Sequence, residues 1–269
     1  MRLRGADGGP LYVDIRTGAR DGEVRPVVVI CHGFKGFKDW GMFPKVAERL
    51  ALAGYTAVTF NFSGSGVGPG SDVVDETERW FRQTLSGDLA DVETVISHML
   101  REGPSWVGLV GHSRGGGVAI LQAARDARVK ALVTWAAVAG FQRYTAEELA
   151  RWRRDGRIEV VNTRTGQVLP MGPEALQDLE RNAGGTLDVL AAASRVRAPW
   201  LIVHGSADES VPAQEASRLA HASGSARTER LMVDGAGHTF GARHPWAGST
   251  PELESAVSRT AQFLGSTLG

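Results

Sequence analysis

The chain has 269 residues, 30 Lys+Arg balanced by 30 Asp+Glu, and 42% of its residues are hydrophobic. That length buries a substantial core, and zero formal charge removes the long-range attraction that draws basic proteins to nucleic acid or anionic membrane. A single cysteine, Cys31, excludes an intrachain disulfide and a cysteine-rich zinc site.

The opening residues MRLRGADGGPLYVDIR place Gly, Asp and Pro where a signal peptide needs an unbroken apolar stretch. The longest apolar segments, PVVVIC and ALVTWAAVAG, fall far short of the roughly 20 residues of a membrane-spanning helix. A cytoplasmic protein with no membrane segment is expected.

In chain order, Leu11–Ile15 reads as an edge strand. Val27–Cys31 is a β-branched run ending at His32-Gly33, the pattern of a strand buried on both faces. Pro44–Ala53 has helical spacing and stops at Gly54, before a strand over Tyr55–Phe60. Leu89–Leu100 is amphipathic, Val107–Val110 is a short strand, and a helix runs from near Arg114 through Val118–Ala124. Strands follow at Val129–Ala136, Trp200–Val203 and Arg227–Val233, with helices at Pro212–Ala220 and Glu252–Leu264. This alternation predicts an α/β fold with a mostly parallel central sheet covered by helices on both faces.

About 60 residues separate Ala137 from Pro199, too many for an ordinary connection. The core is therefore assigned to 1–137 and 198–269, with a small lid insertion at 138–197. Within the insertion Ala146–Arg154 reads as a helix, and RIEVV and QVLPM as two short strands joined by NTRTG. Arg151, Trp152, Arg153, Arg154 and Arg157 form a basic cluster there. Glu147, Glu148 and Asp155 beside it favour a solvated helix face over an anion or nucleic-acid site.

Gly111-His112-Ser113-Arg114-Gly115 follows the strand WVGLV and opens a helix, a setting that holds a serine on a sharp bend. A serine hydroxyl needs a base to take its proton and a third group to hold that base in the right tautomer. His238 in DGAGHTF and Asp208 in HGSADESVP both fall just after strands, at the working edge of a parallel sheet. Glu209 and Asp234 compete for the acid position, and His32, His98, His112, His204, His221 and His244 for the base. An oxyanion hole needs two backbone donors, and the N–H groups of Arg114 and Phe34 are the candidates. Phe34, Phe37, Trp40 and Phe43 are candidate walls of an acyl or aromatic pocket.

GSGVGPG at 64–70 fails the dinucleotide fingerprint because Pro69 takes the third glycine position, and it reads as a flexible loop. Neither GK[ST] nor HExxH occurs, so no cofactor and no metal is expected.

With CHGFKGFKDW, NFSGSG, GHSRGGG, HGSADESVP and GAGHTF in this order, the sequence resembles the α/β-hydrolases, especially the esterase and dienelactone-hydrolase-like bacterial branch. It is also similar to the feruloyl and cinnamoyl esterases, which carry a lid between the same core strands. The resemblance implies an α/β-hydrolase fold, a Ser113 nucleophile, a His238 base and an Asp208 orienting acid. It implies hydrolysis of a small-molecule carboxylic ester through an acyl-enzyme, without nucleic acid or membrane partners. Serine at the elbow departs from the dienelactone hydrolases proper, which use cysteine. A thioesterase, a small-peptide hydrolase, a cofactor-free lyase or perhydrolase, and a non-catalytic binding protein on the same fold stay open, as does a homodimer.

Overall fold

A computed structural model describes residues 1–18, 23–101, 103–104 and 106–267. Strands β1 (Arg2–Arg4), β2 (Pro10–Arg16) and β3 (Val27–Cys31) lead into α1 (Phe43–Leu52), β4 (Thr56–Phe60), α2 (Thr77–Phe81) and α3 (Leu85–Met99). Then come β5 (Val107–His112), α4 (Arg114–Arg125), β6 (Val129–Trp135), α5 (Ala146–Asp155), β7 (Ile158–Asn162), β8 (Gln167–Met171), α6 (Pro173–Asn182) and α7 (Val189–Ala193). The chain ends with β9 (Trp200–Gly205), α8 (Gln214–Ala222), β10 (Thr228–Val233) and α9 (Pro251–Thr267).

Eight strands form one sheet in the order β1-β2-β4-β3-β5-β6-β9-β10, parallel from β4 to β10, with β1 and β2 antiparallel at one edge. The apolar run of β3 is continuous because its alternate residues serve two cores. Val27, Val29 and Cys31 pack among residues of α3, α4, α7 and α8, whereas Val28 and Ile30 pack toward α1 and α9. Among the described residues no helix is long and apolar enough to cross a membrane.

Several boundaries depart from the sequence expectation. Helix α3 opens at Leu85, where the Thr84 side chain accepts the Gly87 N–H, four residues before the predicted start. GSGVGPG is a packed turn and not a flexible loop. Ser63, Gly64 and Ser65 are buried, and the Gly66 carbonyl, at a residue with φ of 66°, accepts the N–H groups of Asp75 and Glu76. Within the segment 138–197 assigned to the insertion, Leu187, Val189, Ala192, Ala193 and Val196 join the main core, as do Val138, Ala139, Phe141 and Leu179, and α7 packs on α4 and α8.

The rest of the insertion is α5, the β7–β8 hairpin and α6. Helix α5 starts in a reciprocal Thr145–Glu148 capping box and stops at Gly156 in the left-handed region. Its Trp152 turns away from the neighbouring arginines into an apolar cluster with Ile158, Leu169, Met171 and core residue Trp80, while its Nε1–H donates to Gly172 O at 3.1 Å. Arg153 and Arg154 face outward on Glu180 and Asp155, the solvated face expected of this cluster.

Candidate active site

Ser113 sits between the end of β5 and the start of α4 with φ 56° and ψ −122°, a strained conformation for a residue with a side chain. Its N–H donates to Trp135 O at 2.9 Å, and its carbonyl accepts the Gly116 N–H at 3.0 Å as α4 begins. The bend is tight enough to require glycine on both sides. A Cβ on Gly111 would lie 2.5 Å from Gly115 O and 2.7 Å from Gly116 Cα, and one on Gly115 would overlap His32 O.

The loops after β9 and β10 bring Asp208 and His238 to this serine. His238 Nε2 lies 3.0 Å from Ser113 Oγ, and Nδ1 lies 2.8 Å from Asp208 Oδ2. Asp208 Oδ1 accepts the N–H groups of Ser210 and Val211, each at 2.9 Å. Burial works to raise the Asp208 pKa, but hydrogen bonds from His204, His238 and Val211 outweigh it and hold the carboxyl well below its ordinary range. Of the competing acids, Glu209 is exposed and Asp234 accepts a bond from Ser206 Oγ instead.

His204, a candidate base in the sequence, supports the acid instead. It is fully buried, with Nε2 2.9 Å from Val211 O and 3.4 Å from Asp208 Oδ2. A donating Nε2–H thus supports the acid's loop and its carboxylate together. The four-residue spacing across HGSAD was the signal available in the sequence.

His32 and His112 buttress the site as neutral imidazoles. His32 Nε2 accepts the Phe62 N–H at 3.1 Å, so its Nδ1 carries the proton and donates to Gly33 O at 2.8 Å. His112 Nε2–H donates to His238 O at 2.9 Å. Burial pushes the His32 pKa down to about 4, and burial together with the neighbouring His238 pushes that of His112 down to about 3. The unfolded chain takes up these protons as pH falls through about 6.5, while the folded chain resists them, so stability is lost on acidification in this window. With a slope that rises toward about 1.4 kcal/mol per pH unit for each histidine, these two groups are expected to remove about 3 kcal/mol between pH 6.5 and 5. Urea midpoints should fall accordingly; equal midpoints would contradict the buried neutral assignment.

Arg114 does more than offer its N–H. Its Nε lies 2.9 Å and its Nη2 2.5 Å from Asp88 Oδ2, Nη1 donates to Gln83 Oε1 at 2.7 Å, and the guanidinium lies 5.2 Å over the Phe34 ring. The side chains of the two predicted oxyanion residues therefore brace one another. The Arg114–Asp88 pair was not anticipated, because its members are on different helices. Phe34 N–H has no acceptor among the described residues. A Cβ built on Gly33 would lie 3.0 Å from Ser113 Cβ, which puts the Gly33–Phe34 turn beside the serine.

Ser113 and His238 open onto a cavity of about 800 Å³ between the sheet edge and the insertion. Phe34, Trp40 and Phe43 line it, joined by Tyr144, Trp152 and Met171 from the insertion. Phe37 does not, which corrects the sequence expectation. It is 1% exposed and turned into the apolar cluster beneath, where its ring meets His244 edge-on. Among the described residues no group of three or more His, Cys, Asp or Glu side chains is placed to hold a metal.

A strand–turn–helix serine hydrogen-bonded to a histidine, and through it to an aspartate, at the carboxyl edge of a parallel sheet defines an α/β-hydrolase. More narrowly, the chain belongs to the family described as serine aminopeptidase, S33, which it matches over residues 22–172. An uncharacterized 31.7 kDa protein of Escherichia coli, from the traX–finO intergenic region, is 28% identical over 137 residues, covering 51% of this chain and 46% of that protein. This alignment thus spans about half the length of the curated relative. Among solved structures, Est1E from Butyrivibrio proteoclasticus with ferulic acid bound has a TM-score of 0.78 at 18% identity, covering 100% of this chain and 99% of that one. The monoacylglycerol lipase of Paleococcus ferrophilus has a TM-score of 0.70 at 17% identity, covering 96% and 99%. At these identities the likeness is one of fold.

Proposed function

We propose that the protein is a serine esterase that cleaves carboxylic esters of small to medium acyl or aromatic acids. The observation that carries this reading is the Ser113–His238–Asp208 hydrogen-bonded chain opening onto a cavity walled by aromatic side chains. His238 Nε2 takes the Ser113 Oγ proton as Oγ attacks the ester carbonyl carbon, and the carbonyl π electrons move to oxygen. The N–H groups of Phe34 and Arg114 donate to that oxyanion, each contributing about 3 kcal/mol to transition-state stabilisation. Collapse of the intermediate breaks the bond to the alkoxy oxygen, which leaves with the proton from His238. Water, deprotonated by the same Nε2, then cleaves the acyl-enzyme and regenerates Ser113.

The ester reading is favoured over hydrolysis of a peptide from its amino end by the charge of the cavity. An aminopeptidase needs a carboxylate to hold the substrate ammonium, and among the described residues no Asp or Glu lines this cavity. Est1E, the fold neighbour with ferulic acid bound, is in keeping with an aromatic acid as the acyl group.

The test is hydrolysis of 4-nitrophenyl esters of increasing acyl length, with phosphonate labelling of the same preparation. Turnover together with labelling at Ser113 is the expected result, and the length optimum measures the acyl pocket. Absence of both turnover and labelling would overturn the esterase in favour of a binding protein.

A further inference from the structure

The cavity that Ser113 opens onto carries cationic side chains that the ester reaction leaves unused. Lys35, Arg143, Arg164 and Arg243 line it together with Arg114. Arg114 is neutralised by Asp88, but none of the other four makes a salt bridge among the described residues. Three are held by main-chain oxygens instead. Lys35 Nζ donates to Val161 O at 3.2 Å, Arg143 Nη2 to Ser210 O at 2.7 Å, and Arg164 Nη2 to Asp72 O.

A carbonyl orients a cation without cancelling its charge. The aromatic floor contributes to the same orientation: the Lys35 ammonium lies 5.9 Å from the Phe34 centroid and the Arg164 guanidinium 5.5 Å from that of Phe37. Elsewhere this chain pairs its half-buried cations with carboxylates, as Lys38 with Asp14 and Asp39, and Arg79 with Asp7 and Glu76. Asp72 offsets part of the Arg164 charge, but it makes no ion pair with it, lies 3.7 Å from His244 Nε2, has a 59% exposed side chain, and is not part of the lining. Burial lowers the pKa of both Lys35 and Arg164, the mark of cations desolvated without full compensation. A chain of zero net charge thus gathers incompletely compensated positive charge around one apolar space, whose walls strengthen the field inside.

We propose that the substrate is a monoanionic ester, bearing a free carboxylate besides the ester that is cleaved, such as a half-ester of a dicarboxylic acid, with Lys35 and Arg164 as its recognition groups. This inference rests on the esterase reading and narrows its substrate class. Arg143 and Arg243, more exposed at the cavity, add to the attraction without fixing the carboxylate's position.

The experiment compares kcat/KM for the mono-4-nitrophenyl ester of adipic acid with that for its neutral methyl 4-nitrophenyl counterpart. The anionic ester is expected to be preferred at least about tenfold at low ionic strength, with the preference shrinking in about 0.5 M salt. In Lys35→Gln, and further in Lys35→Gln combined with Arg164→Gln, the ratio should fall toward one. Arg154→Gln, on an exposed arginine of the insertion paired with Asp155, should retain the wild-type ratio.

Cleavage of both esters by the wild type at a ratio of one or below overturns the anion preference and leaves the esterase standing. A second measurement is independent of turnover and of the double variant's folding. The Ser113→Ala protein is titrated with adipic acid monoanilide and with its methyl ester, read by the fluorescence of Trp40 and Trp152 in the cavity wall. Binding of the carboxylate about tenfold more tightly supports the anion preference of the cavity, and equal binding overturns it.

Discussion

Ser113→Ala is expected to lower kcat/KM for 4-nitrophenyl esters by about 10⁶-fold, to the level left by substrate binding and backbone donors alone. Alanine keeps the Ser113 N–H bond to Trp135 O and adds no volume at the crowded bend, so the elbow and helix α4 stay in place. What is lost is the one nucleophile among the described residues within hydrogen-bonding distance of His238 Nε2. The thermal midpoint is expected to move by no more than a few degrees, since the deleted hydroxyl makes a single bond worth about 1 kcal/mol. Purified wild type and variant, assayed side by side and scanned by calorimetry, check both halves. Turnover retained by a folded variant would remove Ser113 from the reaction.

Asp208→Asn is expected to lower kcat by about 10⁴-fold with little change in KM. The geometry dictates which way the amide turns. Ser210 and Val211 N–H groups both point at Oδ1, so the asparagine oxygen is held there. The NH₂ group then faces His238 Nδ1 and also the His204 Nε2–H. An amide donor at Nδ1 places the His238 proton on Nε2, where it cannot accept the proton of Ser113 Oγ. Steady-state kinetics on one ester separates the cases, because a lesion confined to binding would raise KM and leave kcat intact. The same amide opposes a second donor at His204, so a lower urea midpoint should accompany the lost activity.

The parts of the fold legible in the sequence are those that local physical chemistry dictates. Val27–Cys31 reads as a strand because both of its faces are buried, and the GHSRG bend reads as a turn because only glycine fits where Gly111 and Gly115 meet their neighbours. Helix α3 begins before its predicted start because Leu85–Asp88 lacks apolar periodicity, and the stabilising signal is the Thr84 cap. Helices α6 and α7 were missed for a related reason. Both lie in a polar stretch that carries glycines, and α7, only five residues long, acquires its apolar role by packing on α4 and α8.

Chain order and residue type, by themselves, determined the class of fold and the serine, histidine and aspartate to examine, because each lies in a short segment whose backbone requirements appear in its own residues. The tertiary structure alone decided which acid faces His238, that Phe37 turns under the cavity while Trp40 and Phe43 line it, and that Arg114 is held by Asp88. It also decided that Lys35, Arg143, Arg164 and Arg243 line one cavity. These residues are far apart along the chain, and electrostatic and packing energies depend on distance in space, which no local pattern encodes.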